Sequence, residues 1–180
     1  MGFIFSKLFA KLFGKKEVRL LILGLDNAGK TTVLYQMQFG ESKVTVPTLG
    51  FNVETVKYEN LTFQMWDLGG QSELRPYWRC YYPKTSAIVF VIDSTDKERL
   101  DIVKQELFLL LQEEDLQGVP LAILANKQDL EGALSDIEIS ETLGLSDIKN
   151  NQWAIFKTVA KTGVGLENAF KWLTGILNPE

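Results

Sequence analysis

Val18-Arg19-Leu20-Leu21-Ile22-Leu23-Gly24-Leu25-Asp26-Asn27-Ala28-Gly29-Lys30-Thr31-Thr32 is the stretch on which the fold turns. Its first six residues form a mostly apolar run that reads as a buried strand. Gly24 to Thr31 then match G-x-x-x-x-G-K-[ST], and a helix-like stretch follows over 30–38. Strand, glycine loop and helix in that order are the context in which this motif cradles phosphates. The glycines let backbone N–H groups turn inward around an anion. The helix N-terminus aims a partial positive charge at the same point. Lys30 is expected to reach the β- and γ-phosphates, and the Thr31 hydroxyl to ligate Mg²⁺. Gly24, Leu25, Asp26, Asn27, Ala28, Gly29, Lys30, Thr31 and Thr32 together make the expected nucleotide-binding loop.

Outward from this unit, apolar strand-like runs recur at 52–58, 61–67, 87–92, 120–125 and about 152–156. Helix-like stretches lie near 98–114, 135–143 and 165–177. The alternation predicts an α/β fold: a six-stranded, mostly parallel sheet with helices on both faces. One pair departs from it. The runs 52–57 and 61–67 are joined by a tight turn through Tyr58, Glu59 and Asn60. That is too short for a crossover, so this pair should be antiparallel, at the sheet edge.

Composition narrows the chemistry. At 180 residues, one domain is expected, and 46% hydrophobic content is enough for a core without disulfides. The lone Cys80 has no bridging partner and reads as partly buried and inert. With no histidine, the commonest general base is missing, and hydrolysis must rest on oxygen ligands, a lysine and backbone groups. A net charge of −4 argues against a general nucleic-acid surface.

The first sixteen residues differ from the domain expected over 17–180. At 100° per residue, Ile4, Phe5, Leu8, Phe9, Leu12 and Phe13 share one broad face, and Lys7 and Lys11 the other. The segment is too short to span a bilayer and lacks a small-residue cleavage site. It reads either as an amphipathic helix lying in a membrane surface or as a helix docked permanently on the domain.

Three further constellations carry chemistry. Trp66-Asp67-Leu68-Gly69-Gly70-Gln71 closes a strand about thirty-six residues after the loop lysine. Asp67 can hold Mg²⁺ through a water, Gly70 leaves its N–H open to a γ-phosphate, and Gln71 can orient an attacking water. Asn126-Lys127-Gln128-Asp129 follows the apolar run Leu121-Ala122-Ile123-Leu124-Ala125. The Asp129 carboxylate suits the N1–H and N2–H₂ edge of guanine, a donor pair adenine lacks. Lys127 would lay its stem along the base, and Asn126 would tie this loop to the phosphate loop. Thr158-Val159-Ala160-Lys161 follows the last strand, with the Ala160 N–H expected on guanine O6 and Lys161 beside it. Between these units, Thr48 in Val46-Pro47-Thr48-Leu49-Gly50 can ligate Mg²⁺ when a γ-phosphate is present. The same segment could order with GTP and relax with GDP. Asp26 either points at the γ-phosphate or faces solvent and caps a turn.

With GLDNAGKTT, VPTLGFNVETV, WDLGGQ, LRPYWRCYY and NKQD in place, the chain resembles the Arf family of small GTPases over nearly all its length. Phe156-Lys157-Thr158 and the N-terminal composition are most similar to the Arf-like proteins of the trans-Golgi. The resemblance implies a Ras-like fold, cycling between GDP and GTP, and an exchange factor and a GTPase-activating protein as partners. It implies regulated attachment to Golgi or endosomal membranes through a myristoyl group on Gly2. Met1-Gly2-Phe3-Ile4-Phe5-Ser6 fits that acceptor pattern. It also implies that GTP slides the hairpin between Asn52 and Asp67 by two residues and expels the N-terminal helix. A two-residue slip returns every side chain to its own face. Phe51, Trp66 and Tyr81 would be core residues on sequence grounds alone. The resemblance instead groups them, with Tyr77, as a surface patch for coiled-coil or helical effectors.

Two rival classes are weighed against this. A phosphate-loop kinase would need an arginine-rich lid over ATP, and Asn126-Lys127-Gln128-Asp129 argues against it. A scaffold without turnover is disfavoured because Gln71, Thr31, Thr48 and Asp67 are all present. Unstimulated turnover should be slow, since no arginine is evident to act in cis, and one supplied in trans is worth about 10³–10⁵ in rate.

Overall fold

The computed structural model describes residues 16–41 and 45–178. The expected N-terminal helix, with Gly2, lies outside the described residues except for Lys16. The described chain runs β1 (Lys16–Leu23), α1 (Lys30–Phe39), β2 (Phe51–Tyr58), β3 (Leu61–Leu68), a 3-10 helix (Arg75–Tyr81), β4 (Ala87–Asp93) and α2 (Leu100–Leu111). It continues through β5 (Leu121–Asn126), α3 (Asp136–Leu143), β6 (Trp153–Lys157) and α4 (Leu166–Leu177). The strands form one six-stranded sheet in the order β2-β3-β1-β4-β5-β6. Only the edge strand β2 is antiparallel to its neighbour, β3; the other pairs are parallel.

The period of two along each strand sorts the core into two layers. Val18, Leu20 and Ile22 of β1, with Phe63 and Met65 of β3, pack on Val33 and Leu34 of α1 and Phe170 and Leu173 of α4. Leu21, Leu23, Leu68, Phe90 and Ile123 face the other way, onto Val103 and Leu107 of α2, Ile139 and Leu143 of α3, and Trp78 of the 3-10 helix. A sheet covered on both faces explains why β4 and β5 read as unbroken apolar runs rather than alternating ones. Strand order reverses beside β1, which lies between β3 and β4. In such sheets the crevice for a ligand opens at the strands' carboxyl ends at that reversal.

Element edges differ from the sequence reading in two instructive places. Tyr58 belongs to β2 and pairs with Leu61, so the turn is Glu59 and Asn60 alone, with Glu59 at φ 50°. Such a two-residue turn calls for a positive φ, which glutamate does not advertise. The stretch 98–114 splits into a 3-10 turn (Lys97–Arg99), α2, and a second 3-10 turn (Glu114–Leu116). Continuing α2 through Glu113, Glu114 and Asp115 would stack three carboxylates on the negative end of its dipole. The backbone instead turns extended at Glu113.

Candidate nucleotide-binding site

The carboxyl ends of the strands and the loops that follow them enclose a pocket of about 370 Å³. Asp26, Asn27, Gly29, Lys30, Thr31 and Thr32 form one wall, with Thr48, Gly70 and Gln71 beside them. Asn126, Lys127, Asp129, Ala160 and Lys161 form the opposite wall. Gly24, Leu25 and Ala28 stand behind the first wall, where Leu25 and Ala28 are buried in the core layers.

α1 begins at this pocket with Gly29 as its N-cap and no side-chain cap. Its first-turn amides therefore lack intrahelical acceptors. Gly29 sits at φ 102°, and a Cβ there would fall 2.4 Å from Asn126 Nδ2. Lys30 folds back so that Nζ donates to Leu25 O at 2.8 Å. Burial lowers its ammonium to about 8, against the pull of Asp67 and Asp26.

The odd residues of β3 face α1, and that places Asp67 over its first turn. Thr31 Oγ1 donates to Asp67 Oδ2 at 2.6 Å and Thr48 Oγ1 to the same oxygen at 3.1 Å. The two hydroxyls are 2.9 Å apart. Burial raises the Asp67 carboxyl above its ordinary range; the hydroxyls and Lys30 offset this only in part. Asp67 Oδ1 is buried with no hydrogen-bond partner. One carboxylate with two hydroxyls, one oxygen orphaned, is an all-oxygen set that fits Mg²⁺ completed by phosphate and water. Gln71 lines the same pocket, with its Oε1 buried and unpartnered.

Asn126 joins the two walls. Its Nδ2 donates to Ala28 O at 2.9 Å, and its Oδ1 accepts from Thr158 Oγ1 and from the Ala160 N–H at 2.9 Å. The Ala160 N–H, read as a donor to guanine O6, donates here to Asn126. The next amide, of Lys161, makes no hydrogen bond among the described residues and borders the same pocket. Lys127, at φ 64°, pairs with Asp93 at 2.6 Å. Burial alone would raise Asp93, but the hydrogen bonds from Lys127 and Thr95 outweigh it and hold the carboxylate below its ordinary range. Asp129 stands exposed at the rim.

Asp26 borders the pocket, its side chain partly exposed and bound by Arg99. Arg99 Nη1 pairs with Asp26 Oδ1 at 2.8 Å, Arg99 Nη2 donates to Asp26 O, and the same guanidinium binds Asp96. Arg99 was invisible as a site residue because 73 positions separate it from Asp26. Its only local signal was the Asp96–Arg99 spacing of three.

The effector candidates divide. Phe51, Trp66 and Tyr81 form a triad with ring centroids 5.4–5.9 Å apart, with Phe51 51% exposed. The Arg19 guanidinium stacks 4.1 Å from the Trp66 ring. The core reading therefore fails for Phe51, while Trp66 and Tyr81 are half-buried against the α2 layer. Tyr77 is 63% exposed on the adjoining 3-10 helix. Cys80, expected to be partly buried, is exposed there too, because a short 3-10 helix cannot turn every side chain inward.

Residues 5–177 match the family model described as the ADP-ribosylation factor family. The chain is 55% identical to ADP-ribosylation factor 1 of Brassica rapa subsp. pekinensis, over 98% of this chain and 97% of that one. It is also 55% identical to ADP-ribosylation factor-like protein 1 of Caenorhabditis elegans, over 98% of each. Among solved structures, the Arl6 BBS3 small GTPase of Trypanosoma brucei with bound nucleotide analogue GppNp superposes with a TM-score of 0.84. That match has 34% identity and covers 90% of this chain and 98% of that one. The kinase and the non-hydrolysing scaffold fall away, and the chain belongs to the Arf family of small GTPases, GTP hydrolases that bind guanine nucleotide on a Ras-like fold.

Proposed function

We propose that this GTPase is a membrane-attached switch of the Golgi and trans-Golgi, which recruits helical effectors in its GTP state and so regulates vesicle traffic. The observation that supports it most is the single pocket in which the Thr31–Thr48–Asp67 cluster and the Asn126-tied base loop face each other. Thr31 and Thr48, with Asp67 through a water, would hold Mg²⁺, which when bound neutralises phosphate charge. Thr48 belongs to the segment 45–50 and Asp67 to β3, so holding both at one point couples a loop to the hairpin. The α1 amides and Lys30 bind the phosphates. Asp129 reads the guanine edge, Lys127 lies along the base, and the Lys161 N–H, without a hydrogen bond among the described residues, supplies a donor for O6 beside that of Ala160. Gln71 orients the attacking water. Arg99 is held by two carboxylates, so rapid hydrolysis needs a cation from an activating partner. The N-terminal segment, acylated on Gly2, supplies the membrane contact.

The base assignment is tested by Asp129→Asn. GTP affinity should fall at least about tenfold, since a charge-assisted bond to guanine is lost, and xanthine nucleotides should gain. Isothermal titration with both nucleotides checks this; an unchanged preference for GTP would remove Asp129 from the site.

A further inference from the structure

The peptide unit between Gly69 and Gly70 is held from one side. Trp78, only 3% exposed, donates its indole Nε1–H to Gly69 O at 2.8 Å. No described peptide is cis. In a planar trans unit the C=O and the N–H point in opposite directions. The bond that draws the Gly69 carbonyl toward Trp78 therefore turns the Gly70 N–H away from it. The phosphate loop lies against the Gly70 Cα: a Cβ there would fall 2.4 Å from Asp26 N and 2.5 Å from Gly24 O. Gly70 borders the pocket and is itself buried. Yet its N–H makes no hydrogen bond among the described residues. Buried amides are seldom left so, and this one belongs to a residue that lines the pocket. The neighbouring groups hold it there. Gly69 N donates to Gly50 O at 2.9 Å, and Gly70 O accepts from Arg75 Nε at 3.0 Å. Arg75 is braced in turn by Glu106 of α2 at 2.8 Å.

We propose that Trp78 is a positioning residue: through Gly69 O, its indole N–H aims the Gly70 N–H at the terminal phosphate of a nucleoside triphosphate, and so sets the preference for triphosphate over diphosphate. This rests on the nucleotide reading above. A diphosphate offers no oxygen at that point, so its binding does not depend on Trp78.

Trp78→Phe keeps an aromatic, apolar side chain and removes the donor. Dissociation constants for GDP and for a non-hydrolysable GTP analogue are measured on both proteins. Affinity for the triphosphate should fall roughly tenfold, the scale of one hydrogen bond to a charged group, with GDP affinity unchanged. Equal losses for both nucleotides, or no loss for the triphosphate, overturn the proposal. In the ¹H–¹⁵N spectrum of the unmutated protein, the Gly70 amide should move downfield when GDP is replaced by the analogue. A Gly70 signal that stays put overturns the proposal whether or not the variant folds. Failure of the unmutated protein to bind either nucleotide would instead defeat the nucleotide reading.

Discussion

Lys30 is a cation placed where burial disfavours it, and this makes nucleotide binding depend on pH in a predictable sense. Its ammonium, lowered to about 8 in the folded protein, is drawn back to full protonation by bound phosphates. Binding then takes up a proton at pH values above about 8, and affinity for GDP should fall there by up to about tenfold per pH unit. The slope should vanish in Lys30→Met; titrations between pH 7 and 9.5 check both. Stability of the nucleotide-free protein runs the other way. The unfolded lysine titrates at 10.5, so the unfolded state binds the extra proton and stability rises from about pH 8 toward 10.5. At this scale the sequence disclosed residues whose chemistry is tied to a fixed local spacing, such as Lys30, Thr31 and Asp129. It did not disclose two of the partners that the tertiary fold brings in. Arg99 reaches Asp26 across 73 positions, and Asn126 takes the Ala160 amide across 34.

At the scale of elements, the β2–β3 hairpin and the 3-10 helix together present the aromatic triad. Arg19 stiffens it from below, stacking on Trp66 while its Nη2 donates to Tyr81 O at 3.0 Å. An exposed ring on a braced platform is the form that binding anchors take. Phe51→Ala and Tyr81→Ala should each weaken capture of helical partners by the GTP-loaded protein, by about 2 kcal/mol or thirtyfold if these rings are anchors. Nucleotide affinity should stay nearly constant, because neither side chain borders the pocket. Pull-down and nucleotide release, measured on the same preparations, separate the two effects; loss of nucleotide would return the rings to a structural role. Every strand was visible in its apolar run, and the antiparallel pair in its short connection. The 3-10 helix was not, since its Arg75-Pro76-Tyr77-Trp78 start has neither helical nor strand periodicity.

For the whole molecule, membrane attachment should require two signals acting together. One myristoyl chain gives a partition constant of only about 10⁴ M⁻¹, and each fully buried Phe adds roughly 1.5–3 kcal/mol. Gly2→Ala, or Phe5→Ser with Phe9→Ser, should therefore abolish flotation of the GTP-loaded protein with liposomes. Retention of the Gly2 variant would show that the helix suffices. The sequence displayed six strands but not their order, which depends on the handedness of the crossovers and on which faces the helices can cover. That order carries one further consequence. Lys16 Nζ donates to Leu177 O at 2.8 Å, so the start of β1 and the end of α4 meet at one pole. The eight residues of β1 separate that pole from the phosphate loop by about 23 Å. Were a bilayer to lie against that pole, the nucleotide doorway would be on the side away from it, open to an exchange partner. A fluorescent tag joined behind α4 would instead crowd the lipid, so a reporter for imaging belongs elsewhere on the surface.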